Sequence, residues 1–201
     1  MKQKDEYLPY IEWNEELIKE WLSDKFTERG LVSDEYVFIT KFIRDVEPEV
    51  IIDVGTFLGK SGYILGTSSP KLKYLYALDH HEGPTYTGPY KGLVKTDDYG
   101  KYLPDYCIFK TYGYEKDLEP ILLEHIGENI FIFFDAGKSP IKIWNQVQLS
   151  YQYHIPYIGF HDTLLPQVRR NLTDAKKLGM YEVCAEKQAN NLPGLTILRI
   201  I

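Results

Sequence analysis

Val50-Ile51-Ile52-Asp53-Val54-Gly55-Thr56-Phe57-Leu58-Gly59-Lys60-Ser61 is the stretch that decides the fold. A short apolar run closes on an acid and two spaced glycines, and a helix-like apolar stretch follows. Such a run is a buried parallel strand handing over to a helix. The glycines allow a sharp bend and a close approach of backbone to ligand, which side chains would block. The ligand narrows to a nucleotide-like molecule.

Three readings compete for this turn. A dinucleotide fingerprint requires G-x-G-x-x-G, and Phe57 stands at its middle glycine. A phosphate-binding loop requires four residues between its glycines, then Lys-Ser/Thr. Here three separate Gly55 from Gly59, ahead of Lys60 and Ser61. Phe131-Ile132-Phe133-Phe134-Asp135 would pass for the acidic, magnesium-holding strand of such an enzyme. Yet the missing residue changes how the loop closes, and Asp53 would repel a phosphate. A cationic sulfonium ligand meets no such objection. Asp53-x-Gly55-x-x-x-Gly59-x-Ser61 resembles the first motif of class I S-adenosylmethionine-dependent methyltransferases, particularly the small O-methyltransferases. A purely structural strand–helix turn is the third reading.

Composition narrows the classes. At 201 residues the chain is expected to be a single domain, 1–201, with a sizeable core. No apolar run is long enough to span a membrane, and Met1-Lys2-Gln3-Lys4-Asp5-Glu6 lacks the apolar core of a signal peptide. Cys107 and Cys184 form no metal-type spacing, which points to a reduced, cytoplasmic setting. A formal charge of -6, with no Lys/Arg-rich block, argues against nucleic acid as partner. Seventeen tyrosines supply rings that pack on sugars or other rings while keeping a polar tip.

Helices and strands alternate along the chain. Trp13 to Arg29 carries a helical stripe, and Ser33 can cap a second helix that stops before Pro48; residues 1–48 form an N-terminal helical cover. Strands are expected at Val50–Val54, Leu72–Leu78, Tyr106–Thr111, Asn129–Phe134, Ile155–Phe160, Tyr181–Ala185 and Leu195–Ile201, the last two as an antiparallel edge. Helices are expected from Lys60, over Asp117–Ile126, Ile141–Tyr153 and Val168–Lys177. The fold class is α/β: a doubly wound, mostly parallel seven-stranded sheet with helices on both faces.

Ligands of open α/β sheets bind outside the carboxyl ends of the strands. Asp53, Asp79, Asp135 and Asp162 all lie at or near such ends. Asp79 is where a ribose-binding acid belongs. Thr111-Tyr112-Gly113-Tyr114-Glu115 follows the next strand, so Gly113 permits close approach and Tyr114 can face a base. The cofactor set is thus Asp53, Gly55, Thr56, Gly59, Ser61, Asp79, Gly113, Tyr114 and Asp135.

Phe134-Asp135-Ala136-Gly137-Lys138 and Ile158-Gly159-Phe160-His161-Asp162-Thr163-Leu164 together resemble the metal-dependent catechol and caffeoyl-coenzyme A type O-methyltransferases. There the earlier strand ends D-A-x-K and the later one I-G-Y-D-N-T-L. The resemblance spans Val50 to Leu165 and implies a Rossmann-like methyltransferase fold. By position, Asp135, His161 and Asp162 match the three metal ligands. Lys138 matches the lysine that helps deprotonate the substrate hydroxyl. A hard divalent cation, magnesium or manganese, lowers the pKa of the oxygen nucleophile, which attacks the sulfonium methyl in line. Positioning of the two reactants supplies most of the acceleration.

The chain departs from that pattern at two ligands: His161 replaces an aspartate and Asp162 an asparagine. Imidazole shifts preference from magnesium toward manganese, iron or zinc. Alternatively His161 is itself the general base. His80 and His81 face opposite ways and stay outside the site. Residues 80–105 hold four glycines, three prolines and four tyrosines without a helical period, a long loop that is expected to be functional or mobile. The expected partner is a small-molecule acceptor, with neither nucleic acid nor membrane; a homodimer is left open. A methyltransferase-like domain that binds a nucleoside or a protein without catalysis, and a nucleotide hydrolase, are the alternatives.

Overall fold

A computed structural model of the protein describes residues 33–79, 100, 102–110, 114–188 and 194–201. The helix expected over Trp13–Arg29, His80, His81, Gly113 and most of the tyrosine-rich stretch lie outside those residues. The elements are α1 (Ser33–Val46), β1 (Val50–Val54), α2 (Lys60–Ser68), β2 (Tyr74–Leu78), β3 (Ile108–Lys110) and α3 (Tyr114–Glu124). They continue with β4 (Ile130–Phe134), α4 (Pro140–Gln152), β5 (Tyr157–His161), α5 (Pro166–Lys177), β6 (Tyr181–Lys187) and β7 (Leu195–Ile200).

The seven strands form one sheet in the order β3-β2-β1-β4-β5-β7-β6. Pairing is parallel from β3 to β5, and β7 runs antiparallel to both β5 and β6. The doubly wound sheet with an antiparallel C-terminal edge is therefore present. Boundaries move by a few residues. Helix α3 begins at Tyr114 rather than Asp117 and carries Pro120 inside, where an N–H to the preceding turn is lost. Strand β3 is shorter than the apolar stretch Tyr106–Thr111 suggested. Helix α4 begins at Pro140, with Ser139 Oγ accepting from the Lys142 N–H as its cap.

Side chains alternate across each strand, and the two faces bury separate cores. Val50, Ile52, Val54, Ile130, Ile132, Phe134, Ile158 and Phe160 pack with Leu118, Ile143 and Val168 of α3, α4 and α5. Ile51, Leu75, Phe131 and Phe133 pack with Ile39 and Ile43 of α1 and Ile64 and Leu65 of α2. Among the described residues no helix is long and apolar enough to cross a membrane.

Phe131 is fully buried between the sheet and α1. Phe131→Ala should cost about 3–5 kcal/mol of stability through lost contacts and a cavity. Leu123→Ala, at a side chain 54% exposed, should change stability by less than about 0.5 kcal/mol. Urea unfolding measures both, and equal losses would contradict this packing.

Candidate active site

The register builds the site. Val54 stands opposite Leu78 and Phe134, and Phe134 opposite Phe160. One step further along, the chain ends line up as Asp79, Gly55, Asp135 and His161. The ladder continues into this row: the Gly55 N–H donates to Leu78 O at 2.7 Å and the Asp135 N–H to Val54 O at 2.8 Å. Asp53, Asp79, Asp135 and His161 share the parity of Ile51 and Phe133. Their side chains thus leave the sheet on the face that α1 and α2 cover.

Gly55 has φ +99, and a Cβ there would lie 2.6 Å from Ala136 Cβ and 2.8 Å from Ala136 N. Gly59 has φ +94, and a Cβ would lie 2.8 Å from Leu103 N. Packing against protein therefore requires both glycines before any ligand arrives. Gly100 and Tyr102 donate backbone N–H groups to Phe57 O and Leu58 O, both at 2.9 Å. Leu103 was not foreseen as part of the turn. Phe57 takes φ 49, uncommon for a bulky residue, and its N–H donates to Asp79 Oδ2 at 2.6 Å.

Asp53 is fully buried. Ser61 Oγ donates to its Oδ2 at 2.7 Å. Thr56 Oγ1 lies close enough to the carboxylate to pull its pKa down, without meeting strict hydrogen-bond geometry. Burial pushes the Asp53 carboxyl up to about 7, against the pull of the Ser61 and Thr56 hydroxyls and with the charges of Asp135 and Asp79 adding to it. Lys60 Nζ lies 5.2 Å from the centre of the Tyr102 ring. With Ser61 turned to Asp53 and Lys60 over an aromatic ring, the loop lacks the phosphate-directed Lys-Ser of a nucleotide hydrolase.

Asp135, His161 and Asp162 come together, with one ligand atom from each within 4.8 Å of the others. His161 Nδ1 lies 2.9 Å from Asp135 Oδ1 and 3.7 Å from Asp162 Oδ1. Lys138 sits in the loop before α4. Its Nζ donates to Asp135 Oδ1 at 3.1 Å and to His161 O at 3.0 Å, and lies 3.3 Å from Asp162 Oδ2. Asp162 has φ 60, a conformation Asp tolerates better than most residues.

The other edge of the imidazole meets a residue that the sequence did not single out. His161 Nε2 lies 3.3 Å from Glu35 Oε2, both side chains being almost fully buried. Burial alone would lower the pKa of His161; the carboxylates of Asp135 and Glu35 override it and raise it to about 9. The Asp135 carboxyl is held below its usual range, because Lys138 and His161 outweigh its burial. Tyr36, also buried, is pushed up by burial and by the charges of Asp135, Asp53 and Glu35, so it stays a phenol. Tyr114 opens α3, one residue after Gly113.

No family model and no curated protein matches the chain. Solved structures match in fold. An O-methyltransferase from Bacillus cereus in complex with SAH gives a TM-score of 0.65 over 93% of this chain and 90% of that one, at 13% identity. TomG from Streptomyces achromogenes, an O-methyltransferase involved in tomaymycin synthesis and solved with SAM, gives 0.64 over 94% and 91%, at 15% identity. The SAH-bound methyltransferase PaMTH1 of Podospora anserina gives 0.64 over 92% and 87%, at 14% identity. The chain has the Rossmann-like fold of these methyltransferases.

Gly127 provides a matched control for Gly55. It too has a left-handed φ, +89, but nothing lies within 4 Å of its missing Cβ. Gly127→Ala should cost about 1 kcal/mol for the backbone conformation alone. Gly55→Ala should cost a further ~1–3 kcal/mol from overpacking against Ala136. Equal losses in chemical denaturation would contradict the packing role.

Proposed function

We propose that the chain transfers the methyl group of S-adenosylmethionine to an oxygen of a small-molecule acceptor. The observation that carries this reading is the fully buried Asp53 at the head of an acid-lined rim that continues through Asp79 and Asp135. A buried carboxyl near neutral pKa favours a cationic ligand and disfavours a phosphate. The SAM and SAH named for the matched structures support the same ligand.

Bound S-adenosylmethionine supplies an electrophilic methyl on a sulfonium. Asp53 meets the positive charge of that ligand, and Asp79, which already braces the glycine turn through Phe57, accepts from the ribose. Lys138 and protonated His161 bring positive charge to the strand ends, where the acceptor oxygen would develop negative charge. As a general base His161 would first have to lose a proton that two carboxylates hold.

The donors Asp135, His161 and Asp162 fit a divalent cation in their spacing. Such an ion would lower the acceptor pKa, and the imidazole favours manganese over magnesium. It would compete with Lys138 for both carboxylates and with the Asp135 hydrogen bond for Nδ1. That competition favours a second reading in which Lys138 and His161 supply the charge without metal. Acceptor binding falls to the face around these strand ends, in a cytoplasmic enzyme.

Calorimetry with S-adenosylmethionine tests the proposal, and Asp53 sets the sign of its pH dependence. The raised pKa means that the free protein holds a proton on Asp53 below pH 7, which a cationic ligand expels. Affinity should climb by up to about tenfold between pH 6 and pH 8, and Asp53→Asn should flatten the profile. In the free protein Asp53 contributes stability below its unfolded value of 3.8 that is lost as pH rises through about 7. Selective binding of Mg-ATP, or no binding of S-adenosylmethionine, would sink the reading.

A further inference from the structure

We propose that Glu35, in the first turn of α1, is a positioning residue that holds the ring of His161 so that its Nδ1 edge faces Asp135 and Asp162. This rests on the reading of that cluster as the reaction centre. Acids in the first turn of a helix are ordinarily solvated and complement its dipole. Asp34 behaves so: its side chain is 67% exposed and lies 3.7 Å from Lys187. Glu35, one residue on, is 1% exposed.

Burying a carboxylate is costly unless a partner offsets the lost water. One partner in place is His161, whose Nε2 lies 3.3 Å from Glu35 Oε2. The opposite edge of the same ring is taken by Asp135 Oδ1 at 2.9 Å. An imidazole with a carboxylate at each edge is held from both sides, here by a hydrogen bond at Nδ1 and by an ion-pair contact, without hydrogen-bond alignment, at Nε2. Remove Glu35, and the ring keeps one tether only. In such arrangements the outer partner sets which nitrogen points at the reactive centre. Helix α1 is then more than a cover over the sheet: it completes the site from outside the strand ends.

The test uses full-length protein labelled with 15N-histidine, with the His161 ring signals assigned by their loss in His161→Asn. The unsubstituted protein should show one set of His161 ring signals, with Nδ1 hydrogen-bonded and Nε2 shifted by the adjacent Glu35 carboxylate. Glu35→Ala should move the Nε2 resonance and broaden the ring signals as more than one orientation is sampled. S-Adenosylhomocysteine affinity should stay unchanged, because Glu35 contacts the His161 ring and not the Asp53, Gly55 and Asp79 rim proposed for the nucleoside. Glu35→Gln, which retains an acceptor oxygen, should restore a single orientation.

A folded Glu35→Ala protein with unchanged His161 signals would overturn the proposal. Should that variant fail to fold, Glu35→Gln decides: a displaced Nε2 resonance supports the contact, and an undisturbed one overturns it. Failure of the unsubstituted protein to bind S-adenosylhomocysteine would instead overturn the methyl-transfer reading, and leaves the ring spectra to judge the contact alone.

Discussion

Gly55 leaves no room for a side chain, and the geometry of the site follows from that. Its missing Cβ would sit within 2.9 Å of both Asp135 and Ala136 backbone atoms, so the end of β1 and the turn after β4 are in direct contact. The contact keeps Asp53, Asp79, Asp135 and His161 in consecutive rows of one face. Because neighbouring strands are only about 4.8 Å apart, four chain ends carry their polar groups to one edge of the sheet. A residue with a Cβ at position 55 would push the two turns apart and dissolve the row.

Charge is the second organising term. Carboxylates from four strand ends converge on one edge of the sheet, with Glu35 of α1 behind His161, and Lys138 and His161 answer them. Lys138 touches Asp135, Asp162 and the carbonyl of His161 at once. His161 is clasped between Asp135 and Glu35. Asp53 is raised toward neutrality by its burial, with only hydroxyls to oppose it, whereas Asp135, equally buried, is lowered because Lys138 and His161 outweigh the burial. A ligand carrying positive charge relieves Asp53 and leaves the other cluster intact.

The fold was legible because residues 50–52 and Ile130–Phe134 are unbroken apolar runs, each followed by an acid, the pattern of strands buried on both faces. The convergence of Asp135, His161 and Asp162 was legible for the same reason: strand ends in a parallel sheet share one edge. Glu35 was not. In the sequence it is one of two acids opening a helix, and nothing local separates it from the solvated Asp34. Strand parity carried the missing signal, since Ile51, Phe133 and His161 all face the side that an N-terminal helix must cover. Leu103 was hidden differently, by lying near the end of a Gly- and Pro-rich stretch with no period. The glycines of the turn suggested a ligand at close quarters, whereas Ala136 and Leu103 already occupy the space above Gly55 and Gly59.

The most direct measurement is a crystal structure of the full chain grown with S-adenosylhomocysteine and manganese. The account predicts the nucleoside along the rim of Asp53, Gly55 and Asp79, with the ribose hydroxyls on the Asp79 carboxylate. It also predicts the sulfur directed toward Asp135 and Lys138. A nucleoside bound elsewhere, or a cleft that excludes S-adenosylhomocysteine while accepting a nucleoside triphosphate at Gly55–Ser61, would contradict it.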